Sequence, residues 1–336
     1  MMAYLAERIG FDEAAGDWSN LQKGLRNDSV FFSLLWQECW WELLGNGELH
    51  LCRVRLEGEV VGIAPLMYLD GVWRFLGGTD LFDYHECLVR EGHEEAFFKA
   101  VLGYMDCEPW LAIDFLSLRD DTITLKVFPE LARKAEHEVK ISDEDVSPGI
   151  ALPQEWDAYL ATLKKKNRHE LRRKIRRLEA VDGGVEFREL SDTKEIEESL
   201  PEFLRMMRIS REDKTEFLTV EREGFFRALA QKLAPLQALK LFFLEVDHRP
   251  AAGVVCFDYK GIRFLYNSGY DPAFSDLSVS LLLKAWCLRN AIETGFQYFD
   301  FLRGAERYKY DLGGIDHRIM QVSVQRRKNE LGSDLK

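Results

Sequence analysis

The sequence predicts a mixed α/β fold (α+β, with parallel and antiparallel strands) built as two tandem units of one pattern, and three observations carry that expectation. The 336 residues exceed the roughly 100–200 of a typical single domain. In each half, β-branched and aromatic runs joined by short Gly turns lead into an amphipathic helix and then a buried strand, the order of an antiparallel meander closed by a parallel return. A constant offset of 186 positions carries Tyr84 onto Tyr270, a helical stretch at 94–105 onto 280–291, and Ile113-Asp-Phe-Leu116 onto Phe299-Asp-Phe-Leu302; with a loop-length change, Gly62 matches Gly253.

The first half opens with helices over Phe11–Leu25 and Ser33–Leu44. The second of these, with Leu34, Leu35, Trp36, Trp40, Trp41 and Leu44, leaves little room for a polar face and reads as core. Strands follow at Leu49–Arg55 and Glu59–Met67 around a Gly58 turn, then at Val72–Leu76 and Glu86–Val89. A helix over Glu94–Met105, a strand over Trp110–Leu116 and a helix over Ile123–Lys134 complete the unit. The polar stretch Ser142-Asp-Glu-Asp-Val-Ser-Pro148 reads as the boundary, dividing the chain into 1–147 and 148–336.

The second half begins with one long helix over Glu155–Ala180, then a strand at Val185–Leu190, helices over Asp192–Met207 and Val220–Leu233, and a strand at Ala238–Val246. A hairpin follows, Gly253–Tyr259 and Ile262–Tyr266 about a Lys260-Gly261 turn, its second strand expected to stop at Asn267-Ser-Gly269. Next comes a helix from about Ser278 to Thr294, with Leu281, Ala285, Leu288 and Ile292 on one stripe, Ser278 or Ser280 placed as N-cap and Gly295 as the left-handed C-terminal cap. Phe296–Leu302 returns as a buried strand and enters a loop, Arg303–Gly314, crowded with ionisable and phenolic groups. Arg318–Gln325 alternates well enough to close the sheet.

A strand ending beside a helix start leaves bare backbone N–H groups and the positive end of the helix dipole, a site suited to phosphates. A pyrophosphate-bearing cofactor fits there, and the parallel return strand delivers Asp300, Arg303, Glu306, Tyr308 and Lys309 near the same sheet end. Asp300 equally suits a structural role, capping a turn or pairing with Arg303. After Asp114 the first half lacks the corresponding Arg-Gly and Tyr-Lys, so the second unit is expected to carry the activity.

Composition excludes several classes. No apolar run approaches the ~18 residues of a membrane span, and the charged N-terminus does not read as a signal peptide, so a cytoplasmic location is expected. Six cysteines without a Cys-x-x-Cys pair and seven histidines without metal spacing suggest neither disulfides nor a metal; His85-Glu86-Cys87 is the nearest approach to a cluster. A net charge of −12 argues against general nucleic-acid binding, yet Lys164–Arg177 holds nine Lys or Arg and one acid, Glu170, and so carries +8 against −20 elsewhere. There Leu160, Leu163, Leu171, Ile175 and Leu178 form one stripe and Lys164, Arg168, Arg172 and Arg176 recur every four residues beside it, a row that repels itself unless something anionic lies on it. Arg168 and Arg172 are the candidates for binding substrate, with a solvated helix face as the plain alternative. No P-loop, dinucleotide fingerprint or Ser/His/Asp order is present.

Tyr270-Asp271, the helix entry at Leu277–Leu283, Gly295 and the run Asp300-Phe-Leu-Arg-Gly-Ala-Glu-Arg-Tyr-Lys309, with the basic stretch, resemble the bacterial GNAT-type acetyltransferases related to the cellulose-biosynthesis protein CelD, cousins of the Fem peptidyltransferases. Where that family often has Pro-Gly at the helix entry, this chain has Val279-Ser280. The resemblance implies two GNAT-like units and transfer of an acyl group, acetyl or longer, from acyl-CoA to an amine, with no metal. It places the donor on Ser278, Val279, Ser280, Arg303 and Lys309. Glu306 and Asp300 are then candidate bases, Tyr270 and Tyr308 candidate acids, and backbone amides at Asn267–Gly269 suit the thioester carbonyl. It also implies an acceptor on a polysaccharide or cell-envelope precursor. The alternatives are an aminoacyl-tRNA-dependent Fem-like transferase, an acyl-carrier-protein donor, or a silent binding module.

Overall fold

The computed structural model describes residues 3–25 and 28–327. Its chain falls into two units, one of residues up to Asp145 together with those from Arg318 on, the other Val146–His317. The second unit therefore ends at His317, within the first residues of the C-terminal strand, instead of running on to residue 336.

In the first unit β1 (Tyr4–Ile9), which carries no clear sequence signal, pairs antiparallel with β2 (Glu48–Leu56); helices α1 (Phe11–Lys23) and α2 (Leu34–Leu44) connect them. β2, β3 (Glu59–Leu69) and β4 (Val72–Phe75) form the expected antiparallel meander, and the short β5 (Leu88–Val89) adds to β3. Helix α3 (Glu94–Met105) then crosses to β6 (Ala112–Arg119), which lies parallel to β4, and α4 (Ile123–Lys134) follows. Trp73, Phe75, Phe97, Phe98, Trp110, Phe115 and Phe128 fill the core. The His85-Glu86-Cys87 triplet has separate duties. His85 stacks between Phe75 and Phe82, Cys87 is buried, and the Glu86 carboxylate accepts from the Ile123 (2.7 Å) and Thr124 (3.2 Å) amides at the start of α4. Burial pushes Glu86 up to about 7 despite those donors. Among the described residues no group of three His, Cys, Asp or Glu could hold a metal ion.

The polar stretch expected as the boundary is the middle of a strand, β7 (Glu138–Ala151), and the division between units falls inside it. The long helix also differs. It is broken into α5 (Trp156–Thr162) and α6 (Lys165–Glu179) at Leu163, which is extended. Arg168 reaches back to the carbonyls of Leu160, Ala161 and Leu163 at 3.3–3.4 Å, satisfying the end of α5 that a continuous helix would have paired itself. The leucine stripe survives the break, with Leu160, Leu163, Leu171 and Leu178 all buried.

Then come β8 (Val185–Leu190), α7 (Thr193–Ser210), α8 (Glu212–Phe217), α9 (Val220–Leu233), β9 (Leu239–Val246), β10 (Arg249–Tyr259) and β11 (Ile262–Tyr270). α10 (Val279–Glu293), β12 (Tyr298–Asp300), α11 (Arg307–Asp311) and β13 (Ile315–Gln325) complete the chain. Strands of the second unit lie in the order β8-β9-β10-β11-β12-β7, antiparallel except for β11 with β12. α10 is apolar on nearly every side and buries Leu283 and Leu288 against Phe242, Val254, Leu265 and Phe299; Gly295 closes it at φ +84° as expected. A buried Arg263 pins this helix to the sheet, paired with Asp258 (2.7 Å) and donating to the Cys287 carbonyl (3.1 Å) and Asn290 (2.5 Å).

Beyond Arg318, β13 returns to the first unit and pairs antiparallel with β6, Ile113 opposite Val324. The offset of 186 recurs in the parallel pairings: Ala112, Ile113 and Asp114 stand beside β4 as Tyr298, Phe299 and Asp300 stand beside β11. Tyr84 does not follow it, lying between β4 and β5 whereas Tyr270 ends β11. Gly62 and Gly253 also part company: a Cβ on Gly62 would strike Phe97 of α3, one on Gly253 would press on Phe203 and Met206 of α7.

Candidate active site

The entry to α10 is shaped by the turn before it. Asp271 accepts from the Ala273 amide (2.9 Å) and starts a 3-10 turn over Pro272–Leu277; Ser278 then adopts a left-handed φ of +58°. Ser278 occupies the N-cap position as expected, but no side chain caps the first turn of α10. The amides and positive dipole end of that turn are left to a cleft of about 290 Å³, which Ser278, Val279, Ser280 and Leu281 line.

The cleft opens where two strands part. β12 pairs with β11 from Ile262 opposite Tyr298 only as far as Phe264 opposite Asp300, while β11 runs on to Tyr270, past the Asn267 where the sequence suggests it stops. After Asp300 the chain stays with β7 instead: the Phe301 amide donates to Pro148 and the Gly304 amide to Val146, each at 2.9 Å. Tyr270 at the end of β11 and Tyr308 on α11 therefore form walls of the cleft, and the basic helix α6 contributes Lys174.

Lys284, on the second turn of α10, also lines the cleft and is buried. Its ammonium donates to the Ser280 hydroxyl (2.6 Å) and sits 4.7 Å from the centroid of the Tyr308 ring. Burial, and then repulsion from Lys214, lower it to about 7. Lys214 of α8 donates to the Asn267 side chain (2.9 Å) and to the Ser268 carbonyl, and burial lowers it to about 8. Burial, reinforced by Glu306, raises the Tyr308 phenol, which stays protonated at neutral pH.

The structure brings Tyr270, Ser278, Val279, Ser280 and Tyr308 into one cleft. Lys309 is elsewhere: it is 2 % exposed and donates to the carbonyls of Leu302 (2.8 Å), Arg303 (2.5 Å) and Gly304 (3.0 Å) and to Glu306 (2.9 Å). An ammonium has three protons, and these are committed to the loop; Lys309 is thus a pin for Leu302–Glu306 and not the phosphate ligand the sequence suggests. Arg303 offers its carbonyl to that pin and is not among the residues lining the cleft. Asp300 takes the structural option, its buried carboxylate accepting from the Leu302 amide (2.8 Å) and the Ser147 hydroxyl (3.3 Å) and so holding Leu302 at φ +61°. Glu306 is half exposed. Its partial burial works against ionisation, but the hydrogen bond and charge of Lys309 hold its carboxyl below the usual range. Gly304 sits at φ +104°, a conformation that favours glycine, and a Cβ there would also displace the Glu306 carboxylate. Of the basic row, Arg168 caps α5 and Arg172 lines a different recess; neither reaches the cleft. Lys174, Lys214 and Lys284 escape a reading by motif. Lys284 had one local signal, a single charge inside the apolar run Leu281–Cys287.

Residues 165–310 match the family model described as an acetyltransferase (GNAT) domain. No curated protein matches the chain at a significant level. Among solved structures, the crystal structure of FemX is similar at a TM-score of 0.63 and 13 % identity, covering 94 % of this chain and 96 % of that one. The C-terminal domain of a putative lysylphosphatidylglycerol synthetase from Agrobacterium fabrum gives 0.60 at 11 % identity, covering 94 % and 92 %. A tandem GNAT protein from the clavulanic acid biosynthesis pathway gives 0.53 at 13 %, covering 98 % and 100 %. Identities this low speak for the fold, and the domain match speaks for the chemistry. Residues 165–310 match an acetyltransferase (GNAT) domain, the fold is that of GNAT proteins, and the protein is an acyltransferase.

Proposed function

We propose that the protein is an N-acyltransferase that moves an acyl group from acyl-CoA to an amine, with donor and chemistry in the cleft at the head of α10. One observation carries the reading: an uncapped helix N-terminus, Lys174, Lys284 and Tyr308 converge where β11 and β12 part. The residues suit a phosphate-bearing donor, since the first-turn amides of α10 and the Lys174 ammonium complement its charge. Bound acyl-CoA supplies an activated thioester. Lys284, poised near neutrality, accepts a proton from the ammonium of the acceptor or returns one, and Tyr308 is an O–H donor beside it. Lys309 and Asp300 hold the loop that positions Tyr308.

The resemblance to the CelD-related proteins supports an amine on a polysaccharide or envelope precursor as acceptor, met in the cytoplasm. The matched pairings of β4 with β6 and β11 with β12 support descent of the two units from one duplicated unit, the first without the cleft residues. A second reading keeps the fold and changes the donor to aminoacyl-tRNA. It is favoured by the exposed Arg172, Arg173, Arg176 and Arg177 on α6, and steep salt dependence of binding is its mark.

Calorimetric titration with acetyl-CoA and a longer acyl-CoA tests the first reading. Saturable binding is expected, weakened at least tenfold by Ser280→Glu or Lys174→Glu. A folded wild-type protein that binds no acyl-CoA refutes it.

A further inference from the structure

A second hollow lies across the contact of α6 with α10 from the cleft. Lys174 and Leu281 border the cleft, whereas Ile175 and Leu282 border the hollow, because successive helical side chains point in different directions. The hollow encloses about 340 Å³, with Trp156, Ile175 and Leu178 on one side and Phe187, Leu282 and Trp286 on the other. Phe187 stacks on Trp286 (centroids 5.1 Å apart, planes at 18°), and Phe242 meets the same indole edge-on at 5.5 Å, so that wall is fixed. Trp156, Phe187 and Trp286 are nevertheless only partly buried.

Through Trp156, Ile175 and Arg289 the hollow shares its lining with a recess of about 550 Å³ that adds His169, Arg172 and Arg176. One end is thus apolar and aromatic, and the other carries three guanidinium groups. Opposing charges are few: Glu179 borders the apolar part, and Arg289 is paired with Glu293 at 2.7 Å. The Arg172 guanidinium has no hydrogen bond or ion pair among the described residues, and Arg176 donates to the Arg172 carbonyl at 3.4 Å. Two like charges four apart on a helix repel, and an anion between them removes that cost.

We propose that this hollow binds a single-chain amphiphilic anion, its hydrocarbon tail between Trp156 and Trp286 and its phosphate or carboxylate head on Arg172 and Arg176. Both parts are needed. The tail explains an aromatic slot left open to solvent, and the head explains an Arg172 guanidinium that no carboxylate pairs with among the described residues. The site is independent of the acyl-CoA cleft and stands whether or not that donor is correct.

The test titrates the full chain with dodecyl phosphate and dodecanoate below their micelle concentrations, following tryptophan fluorescence and heat. Dodecanol, dodecyltrimethylammonium and inorganic phosphate serve as controls. At least one anion is expected to saturate, and the tighter of the two identifies the head group. Dodecanol should bind at least tenfold more weakly, the cation more weakly still, and inorganic phosphate should not compete. Octyl phosphate should lose more than tenfold, since each buried methylene contributes roughly fourfold. Arg172→Glu with Arg176→Glu, both on an exposed face, should cost the anion at least tenfold and leave dodecanol unchanged. Ile175→Trp, which fills the passage, should abolish both. Dodecanol binding as tightly as the anions, anion binding indifferent to the double Glu variant, or no saturable binding of either anion overturns the proposal.

Discussion

Replacing Lys309 with Met keeps the length of the side chain and removes its charge and all its donors. Three carbonyls, of Leu302, Arg303 and Gly304, and the Glu306 carboxylate then lose the partner they share. Breaking such a charged set from its buried side costs about 3–5 kcal/mol, because the carbonyls left behind lose a charged partner that water replaces only in part, while the half-exposed Glu306 is resolvated. A unit of this size loses about 2–4 °C of Tm per kcal/mol, so the expected fall is about 6–20 °C, read by calorimetry or by urea unfolding. Acyl-CoA affinity, measured at a temperature where both proteins are folded, should change much less, since the ammonium does not line the cleft. A variant within about 1 kcal/mol of wild type in stability but at least tenfold weaker for acyl-CoA would refute this account and restore Lys309 as a phosphate ligand.

Other outcomes follow from single contacts. Lys284 has a folded-state value near 7 against 10.5 when free, so the unfolded chain holds the extra proton between those pH values and stability should rise with pH across that window; the penalty is full below pH 7. Urea midpoints at pH 7, 8.5 and 10 should show a smaller rise for Lys284→Met, and equal slopes would sink the assignment. Gly269→Ala would bring a Cβ within 2.3 Å of the Met207 amide, forcing α7 off β11 at a cost of about 1–3 kcal/mol or more, measurable by the same unfolding curves. Arg263→Leu leaves Asp258 nearly buried and unpaired, and should cost about 3–5 kcal/mol by chemical denaturation.

Periodicity made much of the fold legible: α3, α4, α9 and the helix now seen as α10 stand where apolar spacing and the Gly295 cap put them. What failed was decided at a distance. Ser142–Pro148 is too polar to read as a strand, yet becomes one as part of β7, whose end pairs with β12. The break at Leu163 is accompanied by Arg168 folding back onto the end of α5, a contact that no local propensity encodes. In the site, the helix entry and both tyrosines that the sequence singled out line one cleft, because turn chemistry and strand order are local. The sequence pattern passed over Lys284 and singled out Lys309. Lys309 stands in a loop dense with polar groups and looks exposed, while Lys284 stands in an apolar helix and looks incidental; burial reverses both.

The return of β13 to the first unit has a consequence for biosynthesis. β6 waits for a partner strand about two hundred positions downstream, Ile113 for Val324. At about 5–20 residues per second on the ribosome, roughly 10–40 s pass before that partner can appear. During that interval the first unit has a strand edge rich in Ile113, Phe115 and Leu118 with no neighbour on one side, the kind of template on which nascent chains associate. The Val146–His317 unit, contiguous in the chain, can fold first, so the half synthesised earlier is the half completed last.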